Sequence, residues 1–590
     1  MRIRPHRAAY GRFLVTAVFL LALAGCNRNK QDSVIPHENG AVHPASVKLT
    51  KNGEVLPKFE ETTAQAGIRF THQNSKTPNK YLLETMGAGC AFIDYDGDGW
   101  QDILLLNGAP IPGGKVTGRP TMALYHNNRN GTFTDVTHQS GLDLETMYAM
   151  GVAVGDYDND GLPDFYVSCV LGPGHLFHNE GGSRFKDVTK TAGVQNAGMF
   201  GSSCTWVDYD RDGKLDLFIC NYVKYPELKD DLPCFAGDRS SRIYCFPLAY
   251  DTSRCTLYHN DGGSKFTDVS VKSGIAMAQG KALGVSIWDY DGDGWPDIFV
   301  ANDTVPGFLF HNERNGTFKE VGVEAGVAYS ESGTAHSGMG IDAADPHNDG
   351  KTALLITNYY GQQTSYYTQI QTDLFREDRQ PAQIGAATGD VLGFGILYFD
   401  YDNDGLLDIV QVNGHIQDDI QIREPKTFFA EKTLIFQNRG DGTFTECGAK
   451  SGNPFSNKLV GRGLAWADIN NDGKLNLLVT ENNGPAHLWK NQTITKNHWV
   501  AFHLIGSKSN RDGIGSMVTV KAGGIAHRTM VRGGSSYLSQ SDLRPHFGLG
   551  KEDQIDLEIK WPSGTVTQIK GIAANHIWSI HEGSDKVEQK

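Results

Sequence analysis

One acidic stretch recurs along this chain and limits the folds that the chain can adopt. Its first copy reads Asp94-Tyr95-Asp96-Gly97-Asp98-Gly99-Trp100-Gln101-Asp102, with apolar runs on both sides. Two carboxylates about 5 Å apart repel each other by roughly 3 kcal/mol at an effective dielectric near 20. A hard divalent cation that takes oxygen ligands would neutralise this repulsion, and the glycines permit a tight turn around it. The stretch therefore predicts a metal-binding hairpin.

Seven copies of this stretch, called loop 1 to loop 7 in chain order, predict a series of calcium sites. Calcium is preferred over magnesium because magnesium demands stricter octahedral geometry. Side chains at positions one, three, five and nine would supply oxygens, together with the backbone carbonyl at position seven. The predicted ligands of the five intact loops are Asp94, Asp96, Asp98, Trp100 and Asp102; Asp156, Asp158, Asp160, Leu162 and Asp164; Asp208, Asp210, Asp212, Lys214 and Asp216; Asp289, Asp291, Asp293, Trp295 and Asp297; and Asp400, Asp402, Asp404, Leu406 and Asp408.

Two loops depart from the pattern. Loop 5 keeps two carboxylates, Asp345 and Asp349, but His347 and Ala353 occupy the other two side-chain positions. Loop 7 replaces two carboxylates by neutral amides, and its predicted ligands are Asp468, Asn470, Asp472, Lys474 and Asn476. We expect a weaker calcium site in loop 7 and the loss of the ion from loop 5.

The spacing of the loops predicts an all-β fold, a seven-bladed β-propeller over residues 56–492. Successive loops lie 52 to 81 residues apart, which is the length of a blade. Most of the loops are followed by a motif such as Leu124-Tyr125-His126-Asn127 and then by a second motif such as Gly131-Thr132-Phe133. The second motif is missing after loop 7, but a version of it, Phe59-Glu60-Glu61-Thr62-Thr63, precedes loop 1. We therefore predict that the N-terminal strand completes the last blade, since closure removes exposed sheet edges.

No catalytic constellation accompanies the repeats. The sequence has no H-E-x-x-H zinc motif, no G-x-S-x-G elbow and no phosphate-binding P-loop. Histidines do recur at one repeat position, which indicates a structural hydrogen-bonding role. They are His126, His178, His259 and His311.

The repeats resemble the FG-GAP (VCBS) repeats of integrin α-subunit propellers, in which such hairpins bind calcium on one rim and ligands engage the opposite face. From residue 493 the acidic repeats no longer occur. Four motifs in this region resemble the ASPIC/UnbV domain: Asn510–Gly515, Gly533–Ser541, His546–Gly550 and Trp561–Gly564. We assign residues 493–583 to this small β-rich domain and residues 584–590 to a tail. Repeats followed by this domain resemble the cartilage acidic protein family. In the ASPIC/UnbV-like domain, the candidate residues that line a site are Arg511, Arg544 and His546. The alternative is that these residues make only turn and strand-end contacts.

The N-terminus predicts export and lipidation. Arginines precede an apolar run in residues 1–25, which is typical of a secretory signal peptide. Leu23-Ala24-Gly25-Cys26 resembles the lipobox of bacterial lipoproteins, which implies cleavage before Cys26 and its acylation. Residues 26–55 are polar and predict a flexible tether. We expect an exported bacterial lipoprotein of the cell envelope, held to the membrane through its lipid anchor.

Four cysteines cluster around the longest interval between loops. Cys220, Cys234, Cys245 and Cys255 bracket an insertion between residues 221 and 254 and allow three disulfide pairings. Disulfides are expected in an exported protein, and we favour Cys234–Cys245 as the local bridge.

The charge of the chain excludes one class of partner. The formal net charge is −14, and no basic stripe compensates it, which argues against nucleic-acid binding. We expect a calcium-stabilised binding or adhesion protein at the envelope, with a protein or glycan ligand. The alternatives are a polysaccharide-acting, lyase-like enzyme and a structural envelope or assembly factor.

Overall fold

The computed structural model describes residues 55–144, 146–237 and 241–590. The predicted signal peptide, the lipidation residue Cys26 and nearly all of the predicted tether therefore lie outside the described residues. Most of the described elements are strands. Among the described helices, none has the length and apolar character needed to cross a membrane.

Sheets of four strands follow one another along the chain, and we number them as blades 1 to 7. Blades 1 to 3 contain β2 (Cys90–Ile93), β3 (Asp102–Leu105), β4 (Ala123–Asn127) and β5 (Phe133–Asp135); β6 (Ala149–Gly155), β7 (Asp164–Cys169), β8 (His175–Asn179) and β9 (Phe185–Asp187); and β10 (Gly201–Val207), β11 (Asp216–Asn221), β12 (Thr256–Gly262) and β13 (Lys265–Asp268). Blades 4 and 5 contain β14 (Ala282–Trp288), β15 (Asp297–Asn302), β16 (Phe308–Asn312) and β17 (Phe318–Glu320); and β18 (Gly338–Ala344), β19 (Ala353–Asn358), β20 (Ser365–Gln371) and β21 (Leu374–Glu377).

The last two blades include the ends of the repeat region. Blade 6 contains β22 (Gly393–Phe399), β23 (Asp408–Asn413), β25 (Leu434–Asn438) and β26 (Phe444–Glu446), beside a two-stranded ribbon of β24 (Glu431–Lys432) and β27 (Lys458–Leu459). Blade 7 contains β28 (Gly461–Ala467), β29 (Asn476–Glu481), β30 (Ala486–Asn491) and, from the start of the region, β1 (Phe59–Glu61). Phe59 pairs with Asn491 and Glu61 with Trp489. The predicted completion of the last blade by the N-terminal strand is confirmed.

The blades close into a ring because each packs its apolar faces against both neighbours. The first strands of successive blades contact one another all the way around, including β28 of blade 7 with β2 of blade 1. In β3, Ile103 and Leu105 pack into one buried cluster with blade 7, whereas Leu104 packs into another with blade 2. Strands with both faces covered explain the uninterrupted apolar runs of the sequence. The structure thus has the predicted all-β propeller architecture.

The strand directions define two faces of the ring. Loops 1 to 7 each join the first strand of a blade to the second, so all of them lie on one face, the loop face. The second strand then runs away from that face, so the connection to the third strand lies on the opposite face. The insertion of residues 221–254 follows β11 and therefore belongs to the opposite face.

Two further four-stranded sheets lie within residues 498–590, called the C-terminal module below. Their orders are β35-β31-β38-β39 and β33-β32-β36-β37. The strands are β31 (His498–Ile505), β32 (Met517–Ala522), β33 (Ile525–Met530), β34 (Ser539–Gln540), β35 (His546–Gly550), β36 (Gln554–Lys560), β37 (Val566–Ala573), β38 (His576–His581) and β39 (Glu588–Gln589), of which β34 pairs with blade 1.

The described helices are short and lie in connections. The α-helices are α1 (Thr189–Ala192), α2 (Gly385–Thr388), α3 (Ile420–Arg423) and α4 (Asn453–Ser456), and the 3-10 turns are Leu82–Thr85, Leu228–Asp230, Pro247–Ala249, Ile275–Met277 and Gly448–Lys450.

One segment of the C-terminal module, residues 533–541, fills the centre of the ring, and we call it the plug. Its strand β34 pairs in parallel with β2 of blade 1. Ser536 exchanges two backbone hydrogen bonds with Ile341 of blade 5, at 2.9 and 3.0 Å. The Leu538 N–H donates to Ser203 Oγ of blade 3 (3.0 Å), and the Leu464 N–H of blade 7 donates to Ser539 Oγ (3.1 Å). The plug thereby satisfies backbone groups that the innermost strands would otherwise leave unpaired.

A histidine in blade 7 fastens the strand that closes the ring. His487 Nδ1 lies 2.9 Å from Glu61 Oε2 of β1, and His487 Nε2 lies 2.8 Å from Glu481 Oε1 of β29. Burial opposes the charge of the ring, but the hydrogen bonds to Glu481 and Glu61 raise the pKa of His487 from 6.5 to about 9. The protonated imidazole therefore holds β1 against the last blade.

We predict that this contact makes closure of the ring sensitive to alkaline pH. A folded-state pKa above the unfolded value gives a stabilisation that is complete below pH 6.5 and is lost as the pH rises through 9. The free energy of unfolding should fall by about 2 kcal/mol more in the parent than in His487→Gln between these limits. Urea unfolding at a series of pH values measures this difference. Parallel pH profiles for the two proteins would contradict the assignment.

Candidate metal-binding loops

Each loop is a hairpin whose own backbone orients its carboxylates. In loop 1, the Gly99 N–H donates to Asp94 Oδ2 (2.9 Å), and the Trp100 N–H donates to Asp98 Oδ1 (2.8 Å). Gly99 has a φ of +89°, a conformation that suits glycine. Asp94, Asp96 and Asp98 each offer one oxygen atom, and these atoms lie within 4.8 Å of one another. The structure therefore brings the predicted side-chain ligands of this loop together.

Buried oxygens without partners test whether these loops fit a cation. Within the described residues, four buried carboxylate oxygens of loops 1 to 3 accept no hydrogen bond: Asp94 Oδ1, Asp158 Oδ1, Asp208 Oδ1 and Asp210 Oδ1. Burial, together with repulsion from Asp216, Asp212 and Asp210, raises the pKa of Asp208 to about 8. A buried charge needs a compensating partner. A set of clustered, partnerless oxygen donors fits a divalent cation with oxygen ligands.

The remaining loops share this arrangement to different degrees. The N–H of the glycine at position six donates to the first aspartate in every loop, as in Gly161 to Asp156 (2.7 Å) and Gly473 to Asp468 (2.7 Å). In loop 7 the Asn476 side chain instead donates to the Lys474 carbonyl (2.9 Å), which is one of the predicted ligands. The loop geometry is therefore common to all seven, whereas the donor set differs.

The repeated histidines lie beside the loops, a position that the sequence did not indicate. His178 Nδ1 lies 3.1 Å from Asp164 Oδ1 and 3.5 Å from Asp158 Oδ2. His126, His259 and His311 hold the same position in loops 1, 3 and 4. Each histidine therefore joins the aspartates at positions three and nine of its loop. Their repeat spacing was the signal that could have placed them there.

The asparagine that follows each of these histidines ties a loop to the next blade. Asn260 of blade 3 donates through Nδ2 to the Tyr157 carbonyl of loop 2 (2.8 Å), and its own N–H donates to Asp216 of loop 3 (2.8 Å). The same side-chain bond to the preceding loop is made by Asn127, Asn179, Asn312, Gln369, Asn438 and Asn491. These bonds form a continuous belt, so the position of each loop depends on the loop before it.

The C-terminal module covers the loop face. Asp512 Oδ2 accepts the Asp156 N–H of loop 2 (2.7 Å), and the Gly550 N–H donates to the Asn403 carbonyl of loop 6 (2.9 Å). Lys590 Nζ lies 3.4 Å from Asp94 Oδ2 of loop 1. The candidate metal sites therefore lie at the interface between the ring and the module.

The residues proposed from the sequence to line a site in the module make contacts with these loops. Arg544 is buried, pairs with Asp542 (2.6 Å) and donates to the Gly99 and Asp468 carbonyls of loops 1 and 7. The Arg511 N–H donates to Asn159 Oδ1 of loop 2 (2.7 Å). His546 stacks on Trp499 with ring centroids 5.7 Å apart. The structure brings these residues to the interface, where Arg544 and His546 line one cavity and Arg511 is not among its lining residues.

Loop 5 has a protein cation where the five intact loops have a full set of carboxylates. Arg528 Nε of the C-terminal module lies 3.0 Å from Asp345 Oδ2, and Asp345 is buried. His347, at position three, directs Nε2 to the Tyr366 hydroxyl (2.9 Å). The guanidinium therefore provides the positive charge that the first aspartate of this loop requires. The sequence showed the lost ligands but not this partner, which lies 183 residues away.

A disulfide and two hydrogen bonds hold the insertion on the opposite face. Cys234 and Cys245 are joined by a disulfide, with their Cα atoms 5.2 Å apart. Tyr244 donates its N–H to Gln417 Oε1 of blade 6 (3.0 Å) and its hydroxyl to Glu84 Oε2 (3.2 Å). The insertion thus extends from blade 3 across the opposite face to contacts made by two other blades.

Comparisons with known protein families agree with the motifs of the sequence. The FG-GAP-like repeat family matches residues 94–167 and 289–356, and the ASPIC and UnbV family matches residues 506–587. The two resemblances are confirmed. Cartilage acidic protein 1 of Homo sapiens is 26% identical over 459 residues, which is 74% of this chain and 63% of that protein. The chain therefore matches less than two thirds of the length of this relative.

Solved propeller structures show only distant similarity. An Agrocybe aegerita lectin that recognises non-reducing terminal N-acetylglucosamine has a TM-score of 0.37 and 14% identity, covering 69% of this chain and 94% of the lectin. The exotype rhamnogalacturonan lyase YesX has a TM-score of 0.35 and 12% identity, covering 69% of this chain and 72% of the lyase.

We predict that loops 4 and 5 differ in metal content. Asp291→Ala removes a carboxylate from an intact loop and should lower the divalent-ion content by one ion per chain, as measured by elemental mass spectrometry after gel filtration. Asp345→Ala should leave the ion content unchanged, because Arg528 already neutralises this aspartate. Equal losses from the two variants would show that loop 5 also holds an ion.

We also predict that Arg528 and Asp345 stabilise the fold as a pair. Arg528→Met leaves a buried carboxylate without its cation and should lower the free energy of unfolding by about 2 kcal/mol, a value reduced because Arg528 is partly exposed. Adding Asp345→Asn should restore most of this loss. A double-mutant cycle from urea unfolding measures the coupling, and additive losses would contradict the pairing.

Proposed function

We propose that this chain is a calcium-stabilised binding protein of the bacterial envelope that engages a protein or glycan ligand with the face opposite the metal loops. The observation that carries the proposal is the placement of the C-terminal module. It covers the loop face through contacts such as Asp512 with loop 2 and Arg528 with loop 5. A ligand that needs a broad surface of the ring must therefore use the other face.

The central channel offers no alternative surface, because the plug occupies it. Tyr537 and Leu538 are fully buried, and the Tyr537 hydroxyl donates to the Met86 carbonyl (2.9 Å). A Cβ atom on Gly89 would lie 2.6 Å from the Leu538 carbonyl oxygen, so the plug and the innermost strand are in close contact. In this respect the proposed binding protein differs from a propeller whose ligand enters the central channel.

The opposite face presents an apolar surface on the insertion. Leu232, Phe235, Phe246 and Leu248 are 47%, 45%, 44% and 75% exposed. Exposed apolar groups that cluster on one segment are characteristic of interaction sites. Loops on a rigid scaffold often carry binding residues, and the belt of hydrogen bonds together with the Cys234–Cys245 bridge provides such a scaffold.

Calcium is the proposed ion because of the chemistry of the donors. Each intact loop offers four carboxylates and a backbone carbonyl, and calcium accepts six to eight such oxygens in flexible geometry. The ions would hold the loop carboxylates together beneath the C-terminal module and so stabilise the ring. Their role in this proposal is structural, since the ligand surface lies on the other face. Anchoring at the envelope rests on the predicted lipidation of Cys26.

We predict that capture of a ligand depends on the insertion and only indirectly on calcium. Immobilised protein is incubated with an envelope extract and, separately, with neutral and acidic polysaccharides. Leu248→Asp should reduce capture at least tenfold, because it places a charge in the apolar surface. Val566→Asp, an equally simple change at an exposed valine of the C-terminal module, should leave capture unchanged. Equal capture by both variants would contradict the proposed face.

Two measurements on the same samples distinguish a calcium site from a magnesium site, and ligand binding from catalysis. Chelation should lower the melting temperature by several degrees, and calcium should restore it at concentrations at which magnesium does not. Restoration by magnesium alone would contradict the choice of ion. New reducing ends or unsaturated products in the polysaccharide samples would replace the binding function with an enzymatic one.

A further inference from the structure

Two cysteines face each other at the base of the insertion. In blade 3, β11 and β12 pair antiparallel with Phe218 opposite Leu257 and Ile219 opposite Thr256. Extending this register by one residue places Cys255, which directly precedes β12, opposite Cys220 of β11. These two residues immediately flank the insertion of residues 221–254. Directly opposite residues of antiparallel strands have Cα atoms about 4.5 to 5.5 Å apart. Disulfides require Cα separations of about 4.4 to 6.8 Å, so the register satisfies this condition.

The side chains of the two cysteines also share one side of the sheet. Alternate residues of a strand point to the same side, so Cys220 lies on the side of Phe218 and Cys255 on the side of Leu257. All four belong to the same buried cluster between blades 3 and 4. Burial, and then the neighbouring Cys255 thiol, raises the pKa of the Cys220 thiol well above its usual value. The two thiols are therefore close neighbours in an apolar environment.

The register separates this pair from the other buried cysteines. Cys169 and Cys204 lie on strands of different blades, and Cys90 and Cys447 lie in blades 1 and 6. None of these four has a cysteine opposite it within its own sheet. Cys220 and Cys255 are thus the pair in which the sheet itself holds two thiols side by side.

We propose that Cys220 and Cys255 form a second disulfide, which closes the insertion at its base outside the Cys234–Cys245 bridge. One thiol first exchanges with an oxidised small-molecule or protein disulfide to give a mixed disulfide and one released thiol. The thiolate of the second cysteine then attacks the protein sulfur of that mixed disulfide, which releases the second thiol. Two electrons and two protons pass to the oxidant, and one sulfur–sulfur bond forms between the strands.

This bond would determine how firmly the insertion is held against the ring. The inner bridge joins Cys234 and Cys245 within the insertion, whereas the outer bond would join the two ends of the insertion. The importance of this constraint for ligand capture rests on the proposed function. The bond itself follows from the strand register alone, so its test does not depend on any ligand.

Counting free thiols tests the proposal directly. The full chain is produced without reductant in a glutathione redox buffer, denatured and alkylated with iodoacetamide. Among the eight cysteines from Cys90 to Cys447, six are free and two are bridged before the second bond is counted. The proposal therefore expects four alkylated cysteines, with a Cys220–Cys255 linked peptide in tandem mass spectrometry. Alkylation of both Cys220 and Cys255, or a link from either to another cysteine, would overturn it.

A matched pair of variants tests the effect on stability. Oxidation should raise the melting temperature of the parent and of Cys447→Ala by several degrees more than that of Cys255→Ala, because only the first two can form the outer bond. Cys447 is also buried, so its substitution controls for the loss of a packed thiol. An equal shift in all three proteins would show that the outer bond does not form. Loss of ligand capture with the linked peptide intact would count against the proposed function and not against the bond.

Discussion

The repulsion among carboxylates at the ends of the strands is the constraint on which this structure depends. In each intact loop, aspartates at positions one, three, five and nine lie on one hairpin. In loops 1 to 3, four of their buried oxygens have no hydrogen-bond partner among the described residues. Burial, together with repulsion from the neighbouring aspartates, raises the pKa of Asp102 to about 9. Such a group is unfavourable unless a positive charge is supplied. The intact loops have the donors for a metal ion, whereas loop 5 receives Arg528 from the C-terminal module.

Hydrogen bonds also connect consecutive loops, so the charge balance of one loop affects the stability of its neighbours. The asparagine that follows the repeated histidine donates to the preceding loop, as Asn260 does to the Tyr157 carbonyl (2.8 Å), and blade 5 uses Gln369 at the same point. A second series runs in the other direction, from Asn159 to the Gly213 carbonyl (3.0 Å) and from Asn403 to the Gly473 carbonyl (3.0 Å). Because these bonds join consecutive blades, neutralising a loop stabilises the ring and not only a single hairpin.

The C-terminal module and the propeller act as one structural unit. The module contacts loops around the ring, and its plug provides hydrogen-bonding partners for the innermost strands, including Ile341 and Leu464. The module is therefore part of the interior of the propeller as well as a cover on one face. In the proposed function, the opposite face, with the insertion of residues 221–254, is therefore the broad surface that binds a partner.

The sequence by itself determined the repeat, the hairpin loops, the closure by Phe59–Glu61 and the β-rich C-terminal region. These features depend on local patterns: the spacing of the aspartates, the short apolar runs, and a motif that precedes loop 1 instead of following loop 7. The tertiary structure decided the plug, the partner of Asp345, the contact of the histidines with the loops and the path of the insertion. Those contacts join residues far apart in the chain, such as Arg528 and Asp345. Their pairing depends on how the C-terminal module packs against the ring, which no local sequence pattern encodes.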